Sequence, residues 1–233
     1  MSIVSSLVNN TNNSNSSFFS SMLGSTSKSS SLSLSDYAMI KNGTYHKLMK
    51  AYYAEEETSS STLSEEDEKS YTVAKNAAKD LAKSTASLMS ADYTEDNREE
   101  LLKSFKSWVE DYNSVVESSD DIDSTSALRQ VLWMTQSTSA NQNLLSKIGI
   151  TVNSDNTLSI DEDEFKNADL NTMKTLFDRN QTSSYGNNVI SKAAATYNAA
   201  AAVTSGTTSG SAYTRSAQYA NTLNVDSLFN TVT

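Results

Sequence analysis

From residue 71 onward the chain places apolar or small residues at alternating steps of three and four: Tyr71, Ala74, Ala78, Leu81, Thr85 and Leu88. That is a heptad-like seam, and its small members predict a helix that a neighbour can approach closely. Ser64 followed by Glu65, Glu66 and Asp67 predicts its start, because a hydroxyl caps free N–H groups and acids suit the positive end of the helix dipole. A second seam runs through Leu101, Phe105, Trp108, Tyr112 and Val115, widened by Leu102, Val109 and Val116. An apolar stripe of that width predicts a packed bundle helix, beginning near Thr94 with Glu95 and Asp96. A third helix is expected from Ser124 to about Lys147, with Leu128, Val131, Leu132 and Thr135 on one face and Leu144, Leu145 and Ile148 at its end. Three such helices over residues 64–148, joined by short polar loops, are expected to pack antiparallel.

The period then changes. Gly149 ends the helical pattern, Ile150 and Val152 alternate with polar residues, and Leu158 and Ile160 alternate again after a turn at 153–156. This predicts a β-hairpin at 148–160. Asp161 is placed to cap a following helix, with Glu164 completing a capping box and Ile160 and Phe165 forming a hydrophobic staple. These four residues make a structural corner, and the helix after it is expected to continue through Met173, Leu176 and Phe177.

The flanks are less patterned. Residues 1–34 are Ser- and Asn-rich, with Phe18, Phe19, Met22 and Leu23 as a small apolar island, and the composition predicts disorder. Ser35-Asp36 starts a stretch with Tyr37, Ile40, Tyr45, Leu48, Met49 and Tyr52 at helical spacing, interrupted at Asn42-Gly43. One bent helix or two short ones fit it equally. After residue 178, an Ala-rich helix is expected at Val189–Val203 within a segment 179–203, followed by a linker and flexible tail over 204–233. The expected fold is mainly α: an elongated antiparallel helical bundle over 35–178 with a small β-hairpin, a disordered N-terminus and a flexible C-terminal tail.

Composition narrows the function. The formal charge is −10, with no basic stripe, which argues against a nucleic-acid partner. No window approaches the apolar length of a membrane span. Met1-Ser2-Ile3-Val4 opens without a basic or apolar signal region, so no cleaved secretory signal is expected. There is no Cys, which excludes disulfides and thiolate chemistry, and the single His46 has no evident partner nearby in sequence. No proline interrupts the helices. No cofactor and no enzymatic activity are expected. One metal pattern deserves weighing: Asn153, Asp155, Thr157, Ser159, Asp161 and Glu164 fall at the ligand positions of an EF-hand calcium loop, but the glycine position holds Leu158. The hairpin and cap explain the same residues, and a calcium-binding helical module using 153–164 is the alternative. Trp108 and Trp133, both on apolar helix faces, are read as core.

Taken in order, Phe105, Trp108-Val109, Tyr112-Asn113, Val115-Val116, Leu145, Ile148-Gly149-Ile150, Leu158-Ser159-Ile160-Asp161 and Leu176-Phe177 resemble the C-terminal conserved region of the flagellar filament-capping (hook-associated) protein family, in reduced form. The likeness covers about residues 95–178. Asn156 stands where that family usually has Gly in the hairpin turn, and a short Ala-rich helix and tail replace its long terminal coiled-coil helices. The resemblance implies a structural or assembly protein that works by protein–protein contact, with flagellar subunits or itself as partner. It also implies flagellar-type export to the flagellum or the cell exterior. The seam Leu101, Phe105, Trp108, Tyr112 and Val115 would serve either as core or as the partner-binding face.

Overall fold

The computed structural model of the chain describes residues 63–181, 183–205 and 223. The expectations for residues 1–34, for the helical stretch after Ser35, for His46 and for the tail from 206 (Leu223 apart) lie outside the described residues. Among those described there are seven α-helices, one 3-10 turn and a two-stranded antiparallel sheet. The chain is mainly α, a helical bundle with a small hairpin.

Helix α1 spans Glu65–Met89, and the Ser64 hydroxyl accepts from the Asp67 N–H at 3.1 Å, as the sequence at its start requires. Its seam is fully inside: Tyr71, Ala74, Ala78, Leu81, Thr85 and Leu88 are all buried. Helix α2, Arg98–Ser118, begins four residues after Thr94, because residues 94–97 form a turn that an Arg98–Glu95 ion pair fastens. Trp108 meets Thr85, and Tyr71, at the opposite end of α1, bonds to Asp123 just beyond α2. The two helices therefore run antiparallel.

Helix α3, Thr125–Ala140, is capped by Ser124. It stops well short of Lys147: the Asn141 side chain donates to the Ser137 carbonyl at 2.8 Å and turns the chain into a separate short helix α4, Gln142–Ser146. Strands β1, Ile150–Val152, and β2, Leu158–Ile160, pair Ile150 with Ile160 and Val152 with Leu158. The single helix expected after Asp161 is two, α5 at Glu162–Asn167 and α6 at Leu170–Leu176. Asp169 divides them by capping α6, accepting from the Asn171 and Thr172 N–H groups at 3.2 and 3.1 Å. A short carboxylate side chain competes for backbone donors and so favours a new cap over a helix interior.

Helix α7, Tyr185–Ser205, is longer than its Ala-rich part and is a full member of the bundle. It packs along both α1 and α3. Tyr185 meets Thr138 and Lys192 meets Trp133, so α7 runs antiparallel to α3; Gly186 beside Met89 gives the same sense against α1. The long helices alternate in direction, α1, α2, α3, α7, and the hairpin with α4–α6 is inserted between the last two. Val189, Ile190, Ala193, Ala194, Tyr197 and Ala200 form the buried stripe of α7. Alanines there allow close helix approach, which is why a segment of low chemical content holds the bundle together.

One carboxylate is poorly placed for charge. Asp111 on α2 is half-buried, and that burial raises its carboxyl above the ordinary range; Asp80 and Glu110 add to this, against a bond from Ser84 and the charge of Lys83. A carboxyl that binds its proton more tightly when folded favours the fold while protonated, and loses that contribution as pH rises through its folded value. Asp111→Asn is expected to stabilise the protein at pH near 7, with the gain shrinking as pH falls through the raised folded value and gone by about pH 4, the ordinary carboxyl range. Urea titrations at the two pH values check it; equal losses at both would show that Asp111 acts by packing.

Candidate protein-contact site

The residues that carry the motif gather along the buried face of α2. Phe105 meets Phe165 at a tilt and Phe177 edge-on, with ring centroids 5.1 and 5.2 Å apart, and Trp108 meets Phe177 edge-on at 5.3 Å and Tyr112 at 5.8 Å. Tyr185 closes the group from α7, 5.8 Å from Phe177. Leu101, Phe105, Trp108, Tyr112 and Val115 are at most 3% exposed, so this seam is core and offers no face to a partner.

The polar atoms inside this core are paired. Trp108 Nε1 donates to Thr85 Oγ1 at 3.0 Å, and that hydroxyl donates onward to the Leu81 carbonyl at 2.7 Å. Thr138 Oγ1 donates to the Met134 carbonyl at 3.0 Å, so it accepts from both the Tyr112 and the Tyr185 hydroxyls, at 2.9 and 3.0 Å. Burial pushes both phenols well above their ordinary range. They act as fixed donors, and one threonine ties α2, α3 and α7 together.

The hairpin hangs on α2 through Asn113. Its Nδ2 donates to the Leu158 carbonyl at 2.9 Å, and its Oδ1 accepts from the Leu158 N–H at 2.7 Å. The amide thus takes the place of a third strand along β2, satisfying edge groups that would otherwise need another partner. Sequence reading named Asn113 within the motif but assigned it no role; its signal was an amide directly after a core aromatic. Gly149 has φ +74°, and its carbonyl accepts from the Asp161 N–H at 2.8 Å, which fixes the direction of α5.

That bond corrects the expected capping box. Asp161 does cap α5, its Oδ1 accepting from the Asp163 and Glu164 N–H groups at 3.0 and 2.9 Å. The reciprocal bond comes from Gly149, while the Glu164 side chain is exposed. Ile160 is half-buried and Phe165 fully buried, both in the same core. Arg98 completes the corner by donating from Nη1 to the carbonyls of Phe165 and Ala168 at 3.3 and 3.0 Å, at the open end of α5. Asp161→Ala is expected to cost about 0.5–2 kcal/mol, the usual range for a lost cap. Chemical denaturation measures it; no change would mean that Gly149 and Arg98 alone set the corner.

The residues of the calcium pattern are engaged with one another. Asn153 Nδ2 donates to Thr157 Oγ1 at 3.0 Å, and Asp155 Oδ1 accepts from both the N–H and the hydroxyl of Thr157 at 3.0 and 2.6 Å. Those bonds hold the Asp155 carboxyl below its ordinary range. Asp161 is turned to its helix. Among the described residues, no group of three His, Cys, Asp or Glu gathers that could hold a metal ion.

The outer surface carries the remaining candidates. Trp133 is not core: it is 36% exposed, with the Lys192 ammonium 4.6 Å from its ring centre. Leu144 (39% exposed) borders an open cleft of about 260 Å³ with Asp169, Asn171, Thr172 and Thr175. Lys106 and Glu162 bridge α2 and α5 at 2.7 Å on the surface. No described helix is long and apolar enough to cross a membrane. Comparisons with protein-family models, with curated proteins and with solved structures each find no match.

Proposed function

We propose that this protein is a non-enzymatic assembly protein, acting by protein–protein contact and related in design to the flagellar filament cap, with export by the flagellar route. The observation that carries the reading is that the residues of the resemblance fold into one unit. Phe105, Trp108 and Tyr112 meet Phe177 or its neighbours in a single aromatic core, Asn113 holds Leu158, and Gly149 holds Asp161. Scattered coincidences of sequence have no reason to converge on one corner of a fold. Such a corner is rigid, since its rotamers are locked by packing and its main-chain groups are paired. Contact with a flagellar subunit falls to exposed groups, because the seam of α2 is inside.

Purified full-length protein added to filaments from its source cell tests this by electron microscopy. Binding confined to filament ends is expected. Absence of end binding, together with normal filaments after deletion of the gene, would sink the cap reading. The calcium alternative separates in the calorimeter. Titration to millimolar calcium, the weak end of such loops, is expected to give no saturable heat. Saturable heat that Glu164→Gln abolishes would favour the calcium module instead.

A further inference from the structure

The outward side of α1 carries a pattern of its own. Glu66, Lys69, Val73, Asn76, Asp80 and Lys83 follow one another at alternating steps of three and four, away from the buried seam, and all six are exposed. Val73, at 53%, is the most exposed large hydrophobic side chain among the described residues. Glu66 and Lys69 make no ion pair among those residues, and the Asp80–Lys83 pair is loose, 3.6 Å apart with both side chains more than half exposed. The stripe is complementary to its own reverse. Laid antiparallel on a second copy, about a twofold axis between Ala74 and Lys75, it sets Glu66 opposite Lys83, Lys69 opposite Asp80 and Val73 opposite Asn76. Each of these contacts then occurs twice, which is the layering of an antiparallel helix pair with a three-and-four repeat.

We propose that the outward stripe of α1 is a self-recognition surface, and that its occupant is the same stripe of a second copy, running antiparallel. Charge complementarity selects this occupant. A partner of one charge sign would be attracted by half of the stripe's charges and repelled by the other half, whereas the reversed stripe answers every one. Charge also selects the orientation and the register. Parallel pairing would oppose Glu66 with Glu66 and Lys69 with Lys69, and a slip of seven residues either way leaves no acid opposite a base. The matching arrangement is the isologous contact of a twofold dimer. It runs from residue 66 to 83, about 26 Å of helix, and so is small for a specific interface. Exposed ion pairs contribute little each, so the dimer is weak and forms where copies are concentrated. The inference does not depend on the resemblance to the filament cap.

Sedimentation equilibrium of the full chain at low salt tests this with charge reversals. The unaltered protein is expected to dimerise with a Kd on the order of 0.1–1 mM. In 1 M salt, where charges are screened beyond about 3 Å, the dimer should weaken. Lys69→Glu sets an acid against Asp80 of the other copy, and Asp80→Lys sets a base against Lys69, twice per dimer in each case. Either change alone should raise the Kd about tenfold. Both side chains are exposed, so neither change touches the core. Combined in one chain, the two reversals should bring the Kd back towards its original value, and an equal mixture of the two single variants should form a heterodimer. Residues 69 and 80 stand about 16 Å apart along one helix and cannot meet within a chain, so recovery reports contact between copies. A protein that stays monomeric up to about 1 mM at low salt would overturn the proposal. A dimer that neither reversal weakens would place the contact elsewhere and overturn it too. Weakening by the single changes without recovery in the double variant and the mixture would overturn the antiparallel pairing.

Discussion

Phe105→Ala and Trp108→Ala are each expected to lower stability by about 3–5 kcal/mol, the range for deleting a buried aromatic. Both side chains are fully buried, and between them they touch rings from α2, α5, α7 and the residue that ends α6. Neither loss can be absorbed by one helix moving, because Phe177 is wedged against Phe105, Trp108 and Tyr185 at once. At this chain length each kcal/mol shifts the melting temperature by about 2–4 °C, so the drop should be large in a thermal scan. Trp108→Phe separates the ring from its N–H. It keeps an aromatic body but leaves Thr85 without its donor, and should cost less than the alanine. A loss under about 1 kcal/mol for either alanine variant would mean that the surroundings collapse freely, and the wedge would be wrong.

The helices of this protein were legible because the physics that forms them is local. Ser64, Ser124 and Asp161 are caps at places where a short polar side chain precedes a helical pattern, whereas the cap at Asp169 lay hidden inside what read as one helix. The seams of α1 and α2 show as period alone, and every residue named in them is buried except Val116, which is half-buried. What stayed hidden depends on distant partners. Trp133 reads as core on α3 by spacing, but α7 covers its ring only in part. The Ala-rich stretch looked like a helix of its own, since alanine advertises helix propensity and not the neighbour that its small size admits. Asn113 and Asn198 hold main chain 45 and 25 residues away, and no local pattern announces such a bond. The break at Asn141 rests on its own side chain donating to Ser137, which competes with helix continuation and shows only in the geometry.

Asn156 forms the hairpin turn without a glycine, its N–H donating to the Asn153 carbonyl at 3.1 Å. It has φ +67°, a left-handed conformation that glycine takes freely and asparagine takes more readily than other residues. An asparagine therefore suits this turn. Asn156→Gly should change stability little on backbone grounds.

Gly149→Ala is expected to cost about 2–5 kcal/mol, combining left-handed strain with an overpacked contact. Its φ of +74° already disfavours any side chain, and a Cβ there would stand 2.7 Å from the Asp161 carbonyl oxygen and 2.8 Å from the Phe165 nitrogen. Both neighbours are backbone, so neither can swing aside. Relief would require α5 to move as a body, dragging Phe165 out of the aromatic core and loosening the bond from the Asp161 N–H to the Gly149 carbonyl. The damage should therefore spread from the corner into the bundle. In hydrogen exchange, amides of β1, β2 and α5 should lose protection first, followed by those of α2 around Phe105. Asn156→Gly provides the paired control: it also sits at positive φ but gains freedom in place of a clash. If Gly149→Ala stayed within about 0.5 kcal/mol of wild type, the normal scatter of surface substitutions, the corner would be pliable. A pliable corner could not fix the direction of α5 and α6 against α2, and the rigid-unit argument behind the assembly reading would fail with it.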